Sequence, residues 1–128
     1  MRPKILILDD DVSIRRLCTL LLDRSGYDTD SVESGEDALV YYEREQKAGT
    51  PYAAVILDLT VKTGMGGLEV LPKLRAMNPR VYTIVASGSS IDTMRNTFKA
   101  QGFNDVLPKP FRPQDLAECL QKLAPPSA

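Results

Sequence analysis

Six side chains of this sequence could share one piece of chemistry: the acidic run Asp9-Asp10-Asp11, then Asp58, Ser87 and Lys109. Carboxylates gathered in one place repel, and without compensation one of them takes up a proton at neutral pH. A hard divalent cation removes that conflict. Mg²⁺ suits such a set best, because it prefers oxygen ligands, retains several waters and is commonly held by one or two carboxylates together with a phosphate. It would also screen an incoming phosphoryl group from the carboxylate that attacks it. Asp58 closes the most hydrophobic run of the chain and is the natural nucleophile for an acyl phosphate. Lys109 offers a fixed positive charge on a long stem and Ser87 a small hydroxyl, and both could hold phosphoryl oxygens during in-line attack. Each residue also has a plainer role. Asp11 can cap a helix, and a lone serine or lysine is most often a surface polar group.

The combination gains force from the elements that carry it. Lys4–Leu8 reads as a strand buried on both faces and ends on the acidic run. Asp11 or Ser13 can then cap a helix within residues 12 to 25, where Ile14, Leu17, Cys18 and Leu21 recur at helical spacing and Gly26 is placed to end it. Tyr27–Val32 is a more polar strand suited to a sheet edge. Ser34, three residues before Asp37, starts a second helix with Ala38, Leu39 and Tyr42 inward. Ala53–Leu57 is the central strand and delivers Asp58, and the glycine-rich loop Thr63–Gly67 follows. Leu68, Leu71 and Leu74 mark a third helix, which Pro72 should bend or restrict to its later turns. Val81–Ala86 is a fourth strand leading to Ser87, and Met94 with Phe98 marks a short fourth helix before Gly102. Asn104–Leu107 is a fifth strand leading to Lys109, and Pro113 opens a last helix with Leu116, Cys119, Leu120 and Leu123 inward.

Five strands alternating with five helices imply a doubly wound α/β domain with a parallel sheet covered on both faces. In such sheets ligands bind beyond the carboxyl ends of the strands. Strands one, three, four and five each deliver one of the reactive groups to that rim. Residues 1–124 read as one domain and 125–128 as a flexible tail.

Composition narrows the function classes. The 128 residues are 43% hydrophobic and 26% charged, the balance of one compact domain. A net charge of −1 leaves no basic stripe for nucleic acid. The apolar runs are far short of the roughly 20 residues that cross a bilayer. The start Met-Arg-Pro-Lys lacks a signal-peptide pattern, so a cytoplasmic location is expected. With no histidine, and with Cys18 and Cys119 at apolar-face spacing, any metal must be held by oxygen.

The motifs Ile5-Leu6-Ile7-Leu8-Asp9-Asp10, Val55-Ile56-Leu57-Asp58, Ser87 and Lys109-Pro110-Phe111 resemble those of the receiver domain of two-component response regulators, across essentially the whole chain. The resemblance implies a flavodoxin-like (βα)5 fold with strand order 2-1-3-4-5. It implies that Asp58 is the phosphoacceptor, that Asp9, Asp10, Asp58 and the backbone carbonyl of Thr60 bind Mg²⁺, and that Lys109 and Ser87 assist. It also implies a cis peptide bond before Pro110. The donor would be a phosphohistidine on a histidine kinase or histidine phosphotransfer protein. The chain would not be an enzyme beyond its own phosphorylation and dephosphorylation. Asp58 through Gly67 looks most like receivers attached to hybrid sensor kinases, so a fusion to a sensor kinase, or else a stand-alone regulator without an output domain, is expected.

Three positions depart from the family's pattern. Lys62 stands where a proline is usual, Val106 where a switch aromatic is usual, and Pro108 adjoins Lys109. Two other readings compete. Asp9-Asp10-Asp11 also spells the Asp-x-Asp of a haloacid dehalogenase-type phosphohydrolase, which would use Asp9, but the acidic pair such enzymes need after the lysine is not matched by Asp115 and Glu118. A pseudo-receiver or a flavodoxin-like nucleotide binder would share the fold, although no phosphate-cradling glycine loop follows the first strand.

Overall fold

The apolar runs demand burial on both faces, and the computed structural model meets that demand with a central parallel sheet. It describes residues 2–59, 61, 64–87, 97–109 and 112–123. In chain order the elements are β1 (Lys4–Leu8), α1 (Val12–Arg24), β2 (Asp28–Val32), α2 (Gly35–Lys47), β3 (Ala54–Asp58), α3 (Gly67–Met77), β4 (Thr83–Ser87), helical residues 97–101 (α4), β5 (Asp105–Pro108) and α5 (Pro113–Gln121). The strands are parallel and ordered β2-β1-β3-β4-β5. This is the flavodoxin-like doubly wound order that the motifs imply.

Alternation along each strand splits the core in two. Leu6, Leu8, Val55, Leu57, Val85 and Val106 pack against Ala38 and Tyr42 of α2, Val70, Leu71 and Leu74 of α3, and Phe98 of α4. Ile5, Ile7, Ile56, Ile84 and Leu107 pack against Cys18 and Leu22 of α1 and Leu116, Cys119 and Leu120 of α5. Both cysteines are buried thiols, and Cys119 Sγ donates to the Val106 carbonyl at 3.7 Å. Among the described residues, no helix is long and apolar enough to cross a membrane.

Asp11 caps α1 by accepting the Ser13 N–H at 2.8 Å, and Ser34 caps α2 by accepting the Asp37 N–H. Two inward assignments shift. In α1 the buried residues are Cys18 and Leu22, while Leu17 is 37% exposed, because the inner stripe runs through residues 14, 18 and 22. In α3 the buried stripe is Gly67, Val70, Leu71 and Leu74, which turns Leu68 outward at 45% exposure. Pro72 lies inside α3, which nonetheless begins at Gly67; the proline removes only the donor that the Leu68 carbonyl would have used. β1 starts with its apolar run at Lys4, whereas β2, β3 and β5 start one residue and β4 two residues later than theirs; before β4 the Val81 N–H bonds back to the Asn78 carbonyl in a turn. Thr60, Lys62, Met94, Pro110, Phe111 and the 125–128 tail fall outside the described residues.

Candidate functional site

Register fixes which groups meet at the carboxyl rim. Leu8 pairs with Leu57, so Asp9 emerges level with Asp58; Asp58 pairs with Ala86, and Ser87 pairs with Pro108. The Lys109 N–H donates to the Ser87 carbonyl at 2.8 Å, which continues the β4–β5 ladder one step past the strand. Asp9, Asp58 and Lys109 each stand two residues beyond a member of the core under α1 and α5, namely Ile7, Ile56 and Leu107. Side chains two apart on a strand share a face, so all three reach the same side of the sheet.

There the Lys109 ammonium lies 2.7 Å from Asp9 Oδ2 and 3.2 Å from Asp58 Oδ2. Ligand oxygens of Asp9, Asp10 and Asp58 all lie within 4.8 Å of one another. Asp9 is 2% exposed and Asp58 8% exposed, so these charges sit where the dielectric is low and each neighbour counts. Ser87 is buried at the end of β4. Burial opposes the Lys109 charge, but the hydrogen bond to Asp9 and the charges of Asp9 and Asp58 outweigh it and hold the pKa above the ordinary 10.5. The lysine is therefore a permanent cation at neutral pH.

The acidic run divides by role. Asp9 Oδ1 accepts the Asp11 N–H at 2.9 Å, which fixes its carboxylate, while the Asp11 side chain is spent on its cap. Asp11 thus takes the plainer of its two roles, and the three-carboxylate group is Asp9, Asp10 and Asp58. Cys18, packed beneath, has its thiol pushed up to about 12 by burial and by the Asp9 charge, against the opposing Lys109 charge, and stays unreactive. An open groove of about 790 Å³ between α1 and β2, past Val12, Arg16 and Leu20, contains none of these site residues.

Two supporting residues have no signal in local spacing. Arg15 Nη1 donates to the Asp9 carbonyl at 2.7 Å and ties α1 to the end of β1. Glu36 accepts the Met65 N–H at 2.6 Å, joining α2 to the connection that follows Asp58. Both act through backbone groups outside their own helices, which a periodicity argument does not reach.

The family model for the response regulator receiver domain matches residues 5–121. The transcriptional regulatory protein CpxR homolog of Haemophilus influenzae is 32% identical over 114 residues, which cover 88% of this chain and 46% of that protein. The DNA-binding response regulator MtrA of Mycobacterium leprae is 32% identical over 117 residues, 91% of this chain and 48% of that protein. The chain thus spans about half the length of these curated relatives, 46% and 48%. Among solved structures, chemotaxis protein CheY4 of Vibrio cholerae superposes with a TM-score of 0.81 at 26% identity, over 97% of this chain and 100% of that one. The receiver domain of sensor histidine kinase PA1611 from Pseudomonas aeruginosa, which has a magnesium ion coordinated in its active-site cleft, gives a TM-score of 0.80 at 25% identity, over 95% and 97% of the two chains.

Proposed function

We propose that this chain, which belongs to the response regulator receiver family, takes a phosphoryl group from a phosphohistidine onto Asp58 and answers by changing its contacts with partner proteins. The observation that carries the reading is the grouping of Asp9, Asp10 and Asp58 beside the Lys109 ammonium. This donor set is all oxygen and holds more negative charge than one lysine cancels, which fits a hard divalent cation. Asp9, Asp10 and Asp58, with the Thr60 backbone carbonyl, would hold Mg²⁺. When bound, Mg²⁺ supplies positive charge against the phosphoryl oxygens as charge develops in transfer.

The chain's own groups do the rest. A carboxylate oxygen of Asp58 attacks phosphorus in line, the P–N bond to the donor imidazole breaks, and the imidazole leaves with the electron pair and takes up a proton. Lys109, held beside Asp58 by Asp9, pairs with a phosphoryl oxygen, and the Ser87 hydroxyl donates to another. Water later attacks the acyl phosphate and restores the carboxylate with release of phosphate. The chain acts on itself alone and in that sense is not an enzyme.

A phosphoryl group adds nearly two negative charges and three acceptor oxygens, enough to draw the Ser87 hydroxyl toward it and alter contacts with partners. Val106, buried in β5, leaves no aromatic ring to report that change. The partners are a histidine kinase or histidine phosphotransfer protein, in the cytoplasm, with no nucleic-acid or membrane contact by this chain. Fusion to a sensor kinase is supported by the likeness to PA1611, and a separate regulator by the likeness to CheY4. The capping role of Asp11 disfavours the phosphohydrolase reading. Incubation with acetyl phosphate and Mg²⁺ should add one phosphoryl group to the intact mass of the wild type and none to Asp58→Asn. An unchanged wild-type mass would leave a binding module without phosphorylation.

A further inference from the structure

The connection from Asp58 to α3 is held near both ends. At the near end, the Leu59 N–H donates to the Ala86 carbonyl at 3.3 Å. At the far end, the first turn of α2 grips Met65 from two directions. Glu36 Oε1 accepts the Met65 N–H at 2.6 Å, and the Met65 carbonyl accepts the Gly35 N–H at 2.8 Å. The fit is close: a Cβ at position 35 would run into Val70 and Met65, and one at Gly64, which turns with φ +83°, would stand 2.9 Å from Glu36 Oε1. Ser34 caps α2 through the Asp37 N–H, and the Glu36 carboxylate meets its own N–H as well as that of Met65, the latter with the larger effect on its charge.

What Met65 leads into matters for the site. Gly66 follows, its carbonyl accepting the Glu69 and Val70 N–H groups that start α3. Gly67 comes next, and an added Cβ there would lie 2.8 Å from the Asp58 carbonyl oxygen. The backbone two residues past Met65 therefore rests on Asp58 itself. We propose that Glu36 is a positioning residue for phosphoryl transfer: its carboxylate clamps Met65 and so fixes the Met65–Gly67 backbone that rests on Asp58. The inference rests on the reading of Asp58 as phosphoacceptor beside Mg²⁺. A connection released at one end samples more conformations, and ordering it again opposes each assembly of the metal site.

The test compares wild type, Glu36→Ala, Glu36→Gln and, as a control on the outer face of the same helix, Glu43→Ala. Each full chain is phosphorylated with acetyl phosphate across a Mg²⁺ series, and amide hydrogen exchange at Met65 is measured without metal. Glu36→Ala should raise the half-saturating Mg²⁺ concentration by about tenfold, the low end for groups that orient a metal's ligands. It should leave the rate at saturating Mg²⁺ much less affected, and should speed exchange at Met65. Glu36→Gln keeps an acceptor oxygen and should fall close to wild type, as should Glu43→Ala. Unchanged half-saturation and exchange in Glu36→Ala, or no recovery in Glu36→Gln, would overturn the clamp. If wild type itself takes no phosphoryl group, the Asp58 reading fails, and the exchange at Met65 alone decides the clamp: faster in Glu36→Ala keeps it, unchanged removes it.

Discussion

Asp9, Asp10 and Asp58 stand close enough to share one ion, and the Lys109 ammonium is placed against both Asp9 and Asp58. Without a divalent cation the three gathered carboxylates repel one another, as they do not in the unfolded chain. Mg²⁺ at a hundredfold excess over its Kd should therefore raise the unfolding free energy by about 2.7 kcal/mol, read from urea denaturation with and without chelator. The double substitution Asp10→Asn, Asp58→Asn should abolish the increment; a wild type indifferent to Mg²⁺ would contradict the ion-binding role. These residues were legible in the sequence because each closes or follows an apolar strand run, and in a parallel sheet those ends share one rim. Glu36 and Arg15 were not, because their partners are backbone groups at Met65 and Asp9 whose proximity only the folded chain creates.

At the scale of elements, α1 shows how far periodicity reaches. Leu17, Leu21 and Leu22 all lie within a leucine-rich stretch, and composition alone does not say which of them faces the sheet. The structure buries Leu22 completely and leaves Leu17 at 37% exposure. Leu22→Ala should cost about 2–5 kcal/mol of stability, whereas Leu17→Ala should cost about 0.5 kcal/mol; equal losses in urea denaturation would contradict the packing of α1. Arg75 does similar work between elements. Its guanidinium donates to the carbonyls of Pro79, Val81 and Gly102 and to Asn104 Oδ1, and that oxygen also accepts the Thr83 N–H. One side chain thus ties the end of α3 to the starts of β4 and β5. Arg75→Met should lower stability by about 2 kcal/mol, the scale of charged hydrogen bonds left without their donor, with hydrogen exchange fastest around residues 102–105. Strand existence was legible from the apolar runs, and strand order from the family resemblance that the motifs carry; the first residues of β2 to β5 were not, because turn bonds such as Val81 to Asn78 decide where pairing starts.

Across the whole molecule, the reactive rim lies at one end of the sheet and a structural polar network at the other. There Lys4 bonds to Glu45 and Asp30, Thr50 Oγ1 donates to Glu45 Oε2 at 2.8 Å, and the Tyr52 hydroxyl donates to Asp30 Oδ2 at 2.6 Å. The hydrogen bond from Lys4, then that from Thr50, holds the Glu45 carboxyl below its ordinary 4.5. A depressed carboxyl stabilises the fold above its unfolded pKa and loses that contribution as pH falls through the folded value. The Tm difference between wild type and Glu45→Gln should hence be steady near neutral pH and shrink in acid below 4.5; a difference that widens in acid would contradict the network. This network can fail without touching phosphoryl transfer, so the central claim is best tested at the rim. Wild-type chain treated with acetyl phosphate and Mg²⁺, reduced with borohydride and mapped by peptide mass spectrometry, should show the acyl phosphate converted to homoserine at position 58 alone. Conversion at Asp9, or none at position 58, would contradict the account.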